Sequence, residues 1–238
     1  MNESGKAQFA WQPLTPGGVA AFADARLRQL LLVQLVVALL VGGVVIWFVH
    51  GAWFPTIDKA IRHLPSQGEL RFGRLDWPGD SPVCLAEGRF LALVIDLDHG
   101  GTARTPAHVQ VEFGRTDYKI YSLLGHIQRP YPRRWVLAFN GTELGPWWGA
   151  WTPAILAIVG LLVVAGLIAS WACLATAYAV PVWLVGFFAD RRCGLGGSWR
   201  LAGAALMPGA LLMCGAIVLY GWGAFDLVRL AVAGTAHL

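Results

Sequence analysis

Apolar positions in this chain gather into three uninterrupted stretches. Leu30 to Val49, Pro153 to Phe188 and Leu201 to Gly223 contain no Lys, Arg, Asp or Glu. About 18 or more such residues match the ~30 Å hydrocarbon core of a bilayer at ~1.5 Å of helix rise per residue. The pattern predicts three transmembrane helices, with the more polar residues 51–150 between the first two.

Basic residues in short segments set the orientation. Lys6, Arg26 and Arg28 precede the first span, and Arg191, Arg192 and Arg200 lie between the second and third. Three crossings from a cytoplasmic N-terminus place both groups in the cytoplasm. The expected division is a cytoplasmic tail partly in an amphipathic helix (1–28), a first span (29–50) and an extracytoplasmic β-rich domain (51–150). A second span with an interfacial extension (151–189), a cytoplasmic loop (190–200), a third span (201–223) and an outer C-terminal segment (224–238) complete it. The first span is too long for the core of a signal peptide, and no small-residue cleavage pattern follows it, so it reads as an uncleaved anchor.

Proline refines the spans. Trp151 to Phe188 is too long for one upright crossing and too short for two, so a helix from about Pro153 to Val180 is expected to stop at Pro181, leaving Val182–Phe188 along the inner interface. Pro208-Gly209 predicts a kink in the third span. Asp226 and Arg229 share a helical face and can pair; the apolar residues after them are too few to cross again. At the other end, Thr15-Pro16 reads as a cap and first turn of an amphipathic helix running into the first span.

Between the first two spans the period changes. Thr56 to Leu64 predicts a short helix with Ile57, Ala60, Ile61 and Leu64 on one side, ended by Pro65 and Gly68. Strands are expected at Glu69–Phe72, Phe90–Leu97, His108–Phe113, Tyr118–Leu124 and Trp135–Phe139. Asp98-His99-Gly100-Gly101 reads as a hairpin turn, Asn140-Gly141 as the close of the last strand, and Gln128–Arg134 as a basic, proline-rich loop. Val109, Val111 and Phe113 are expected to face a core. The fold class is thus membrane α-helical, with a small, mostly antiparallel α+β domain between helices one and two.

Composition narrows the function. Charged residues make up only 13% of the chain, against about a quarter in ordinary soluble proteins. Trp47, Trp53, Trp147, Trp148 and Trp151 fall where the spans should meet headgroups. From His50 to Trp147, eleven Lys or Arg face ten Asp or Glu, so there is no basic face for nucleic acid. Cys84 is the one cysteine of that segment, which excludes an internal disulfide there.

Candidate chemistry is sparse. Asp96, Asp98, His99 and His108, with Glu112 and His126, are the one assembly of acid–base or ligand types, but their spacings fit no standard metal site. No serine sits in a nucleophile elbow and no glycine loop has phosphate-cradling spacing. Asn140-Gly141-Thr142 matches a glycosylation acceptor. Within the spans only Gln34, Ser170 and Thr176 are notably polar, each able to bond to its own helix or a neighbour. Ala165, Gly166, Ala169, Ser170, Cys173 and Ala177 form a ridge of small residues suited to close helix packing, first against the other spans, otherwise against a partner or second copy.

Leu64-Pro65 followed by Gly73-Arg74-Leu75, and Val94-Ile95-Asp96-Leu97-Asp98 running into Gly100, resemble the opening of the outer domain in a family of uncharacterised bacterial membrane proteins found at maltodextrin-utilisation loci. The likeness supports the domain boundaries and carries no activity; this chain has three spans where that family usually has four. The expectation is a non-enzymatic bacterial inner-membrane protein with an outer binding, sensing or docking domain and no cofactor. Its partners would be the bilayer and other membrane subunits or further copies. The alternatives are a transport subunit and, behind it, an interfacial enzyme using Asp96, Asp98 or His99.

Overall fold

A computed structural model describes residues 11–191 and 193–237. Lys6, Arg192 and Leu238 lie outside them. The chain divides into two compact units, one formed by the described residues up to Ile46 and from Ile158 onward, the other by Trp47–Ala157. Among the described residues, three helical segments are long and apolar enough to cross a membrane: Leu27–His63, Gly141–Phe188 and Leu195–Gly221.

In the first unit, Thr15 caps α1 (Pro16–Ala21), its hydroxyl accepting from Gly18 N–H. The expected continuous helix into the first span is broken. The chain turns after Ala21 and restarts as α2 (Leu27–Ala52), the Gln29 side chain accepting the Arg26 N–H. The turn lets Phe22 bury fully, and the Arg200 guanidinium donates to the Ala23 carbonyl at 2.6 Å. Helix α2 buries Leu30, Val33, Gln34, Val37, Ala38, Val41 and Gly42, one stripe at three- and four-residue spacing.

Helix α4 (Gly141–Phe188) runs 48 residues without a break. The expected stop at Pro181 is therefore wrong. A proline removes one backbone bond and crowds the preceding turn, but a helix with ample bonds on either side can absorb that. At about 1.5 Å per residue the helix is over twice the length of a hydrocarbon core. The third apolar segment is split as expected: α5 (Leu195–Ala205) gives way at Leu206 to α6 (Met207–Gly221), with Pro208 in the first turn of α6. After Gly223, at φ +83°, Asp226 caps α7 (Leu227–His237) by accepting from Arg229 N–H, and its carboxylate pairs with the Arg229 guanidinium at 3.8 Å.

Small residues set the helix crossings in this unit. A Cβ on Gly42 would stand 3.1 Å from Val164, and one on Gly160 would stand 2.6 Å from the end of Ile46. Gly203 meets Gln34, Leu30 and Ala175. Small residues at these crossings allow close backbone approach, which lets the helices pack and make polar contacts. The predicted small-residue ridge takes no part. Ala165, Gly166, Ala169, Ser170, Cys173 and Ala177 are all exposed, and Gly160, Trp171, Ala175 and Ala179 make the buried face. Residue size alone points to that ridge, whereas bulky Trp171 fills the interior.

The second unit opens with α3 (Phe54–His63), which stops where Leu64 turns extended ahead of Pro65. One antiparallel sheet, in the order β2-β1-β8, joins β1 (Glu69–Arg71), β2 (Arg74–Asp76) and β8 (Val136–Ala138). A second, in the order β3-β4-β5-β6-β7, holds β3 (Val83–Glu87), β4 (Leu91–Ile95), β5 (Val109–Phe113), β6 (Asp117–Ser122) and β7 (Gly125–Pro130). The sequence reading missed β2, β3 and β7; the last occupies part of the expected loop Gln128–Arg134. Strands β4 and β5 pair in parallel, Leu91 opposite Val109 and Ile95 opposite Phe113. Asp98–Gly101 is thus no hairpin turn. It opens a crossover, the connection a parallel pair requires. Leu70, Leu75, Leu85, Ile95 and Phe139 fill the core of this unit, each fully buried aliphatic side chain stabilising it by about 1.5–3 kcal/mol.

Candidate functional site

Strand β5 alternates as expected, yet both of its faces are covered. Val111 and Phe113 point to an apolar cavity, while Gln110 and Glu112 on the other face are 3% and 1% exposed. The crossover from Asp96 to His108 covers those polar residues. Gln110 Oε1 accepts from the Thr105 N–H at 3.0 Å and its hydroxyl at 3.2 Å, and Gln110 Nε2 donates to the Ala103 carbonyl at 2.9 Å. Gln110 Nε2 also lies 3.4 Å from Glu112 Oε2. A buried amide needs such partners, because an unbonded one costs about 1–3 kcal/mol.

His99 is the centre of the polar face. It sits in left-handed backbone at φ +53°, which turns its ring inward. Nδ1 lies 2.5 Å from Glu112 Oε1 and Nε2 lies 3.1 Å from Asp117 Oδ1. Gln128 donates to the other oxygen of Asp117. Gly114 makes room for the ring, since a Cβ there would fall 2.2 Å from His99 Nε2. Burial disfavours the charged form of Asp117, but the Gln128 bond, the His99 bond and charge, and Lys119 outweigh it and hold the carboxyl below its usual value. Burial, reinforced by Asp117 and Tyr118, pushes the Tyr131 phenol up; its hydroxyl donates to the Gly114 carbonyl at 3.1 Å.

Of the six residues singled out in the sequence, this arrangement takes His99, Glu112 and Asp96. Asp96 is 3% exposed, accepts the Gly101 N–H at 3.1 Å and shares a turn with His99. Asp98 faces solvent and approaches Arg115 at 3.5 Å. His108 packs edge-on against Phe90, 5.7 Å between centroids. His126 lies across from Tyr121 on the β6–β7 hairpin. Asp117, Gln110 and Gln128 were missed in the sequence; only the pairing of β5 with β6 and the path of the crossover bring them to His99.

A general base or metal ligand needs an imidazole nitrogen able to reach an outside atom. Both nitrogens of His99 face carboxylates instead, so the chain Glu112–His99–Asp117 ties the crossover to β5 and β6. Among the described residues no three His, Cys, Asp or Glu side chains form a group able to hold a metal ion. Asn140, the supposed glycosylation acceptor, is 8% exposed and caps α4 by accepting the Glu143 N–H at 2.9 Å. Of the polar span residues, Ser170 and Thr176 donate to carbonyls of their own helix, and Gln34 is buried. Arg26, Arg28 and Arg191 are exposed.

The opposite face of the sheet holds a cavity of about 350 Å³. Its wall includes Ile57, Ala60, Ile61 and Leu64, the four residues predicted to share one side of α3, together with β4, β5 and the start of α4. Comparison of the chain with protein-family models, curated proteins and solved structures finds no match, so no activity is carried to it from a relative.

Proposed function

We propose that this chain is a non-enzymatic protein of a bacterial inner membrane. Its N-terminus and the Arg191 loop lie in the cytoplasm, and the sheet domain lies outside as a binding or docking module, serving as an accessory subunit of a membrane complex. The observation that carries this reading is the use of the domain's polar residues: Glu112, His99, Asp117 and Gln110 bond to one another and to the crossover, while the cavity on the other face is apolar throughout. That division suits recognition by burial and does not suit proton or group transfer. Outward-facing Ala165, Ala169 and Cys173 offer a second surface, toward a neighbour within the membrane.

Purification from native membranes in mild detergent tests it. A co-purifying membrane protein or a homo-oligomer is expected. A strictly monomeric species with no partner contradicts the accessory role.

A further inference from the structure

We propose that the apolar cavity of the sheet domain holds a hydrocarbon chain, the acyl chain of a membrane lipid. The inference rests on the reading that the domain adjoins a bilayer, and adds to it the chemical class of the ligand.

The lining decides the chemistry. Ile57 and Ile61 of α3, Leu93 and Val111 of the sheet, and Leu144 and Trp147 of α4 surround the space, and every other lining residue is apolar too. Trp148 contributes its ring, while its indole N–H donates to Asp58 at 2.7 Å. A nucleotide, sugar or peptide backbone placed here would leave its polar groups unbonded. Water finds no bonding partner on these walls either, whereas an apolar ligand loses nothing there. The volume of about 350 Å³ lies within the range of small-molecule sites.

Covalent continuity decides the source. Trp53, on the cavity wall, follows the last residue of α2 directly. Trp148 stands five residues after Glu143, beyond which α4 holds no Lys, Arg, Asp or Glu. Five helical residues span about 7.5 Å. Both entrances to the domain therefore pin the cavity close to the points where apolar helices leave the hydrocarbon layer, at the depth tryptophan favours.

The test uses the full chain in vesicles of phosphatidylethanolamine and phosphatidylglycerol, doped with a phospholipid bearing a diazirine on its acyl chain. Irradiation followed by peptide mapping should place adducts on Leu93 and Ile57 as well as on the spans. Val111→Trp fills the cavity from the sheet side. It should lower those two adducts at least about tenfold, the affinity lost when even two methylenes are excluded, while adducts on the spans persist. Ile57→Trp fills the space from the helix side and should act alike, so failure of one variant to fold leaves the other readable. Adducts confined to the spans, or surviving both substitutions, overturn the proposal. So does benzoylphenylalanine at position 57 if it captures a protein in native membranes. Impermeant maleimide labelling of Cys84 in cells reads the domain's location separately. Failure there overturns the membrane placement, and failure of the adducts alone overturns the ligand.

Discussion

The side-chain amide of Gln34 donates to the carbonyl of Gly203 at 3.3 Å, joining α2 to α5 across 169 residues of sequence. Glycine makes the approach possible: a Cβ at 203 would stand 3.2 Å from Gln34 Nε2 and 3.3 Å from Leu30 Cδ2. An interhelical hydrogen bond in a membrane bundle is worth about 0.6 kcal/mol on average and at most ~2. Gln34→Leu should lower stability in detergent by an amount in that range, read as a lower thermal midpoint. An unchanged midpoint would show that the bond contributes nothing.

Two alanines of α4 should respond oppositely to enlargement. Ala175 is fully buried and touches Gly203, whereas Ala169 faces outward. Ala175→Leu should cost about 1–3 kcal/mol by overpacking. Ala169→Leu should leave the isolated chain's stability within ~0.5 kcal/mol, yet weaken any partner seated on that ridge. Equal destabilisation of the monomer by both would place the ridge in the interior.

Phe72 occupies the two-residue turn between β1 and β2 in left-handed backbone, φ +51°, with Gly73 beside it at +76°. The side chain is 72% exposed and carries only the Arg71 guanidinium over its ring. That backbone favours Asn or Gly. Phe72→Asn should raise the melting free energy by about 1 kcal/mol, the usual cost of the conformation. Destabilisation instead would mean that the ring has a packing role.

The Asp117 carboxyl is held below its usual value in the folded domain. A depressed acid stabilises the fold above its unfolded pKa, and this contribution is lost as pH falls through the folded pKa. The expected window therefore lies below the ordinary value of 3.8. Acid unfolding of the wild-type chain should steepen there, and Asp117→Asn should flatten it. Identical acid profiles would remove Asp117 from the acid sensitivity.

Much of this was legible in the sequence because the signals were local. Uncharged length marked the three apolar helices, Thr15-Pro16 marked the start of α1, and Pro208 marked the break between α5 and α6. Residues three and four apart gave the inner side of α3. Long-range facts were not legible. Strand alternation put Gln110 and Glu112 toward solvent, because nothing local announces that a crossover will fold back over them. Strands β2 and β3 are short and separated by a turn that includes Trp77-Pro78-Gly79, so neither is long enough to show a period of two. The small-residue ridge lies away from the inner helix contacts for a related reason. Size alone does not tell which side of a helix meets its neighbours, and here Trp171 took the interior.

The most direct test of the central claim is the side of the membrane on which Cys84 lies. It is exposed on β3 and is the one cysteine between the first two apolar helices. Burial, and then Glu87, raise its thiol pKa, so labelling is run at mildly alkaline pH. In a variant with Cys173, Cys193 and Cys214 replaced by Ser or Ala, impermeant maleimide added to intact cells or right-side-out vesicles should modify the chain, and inside-out vesicles should protect it. Protection in the first and modification in the second would contradict the account.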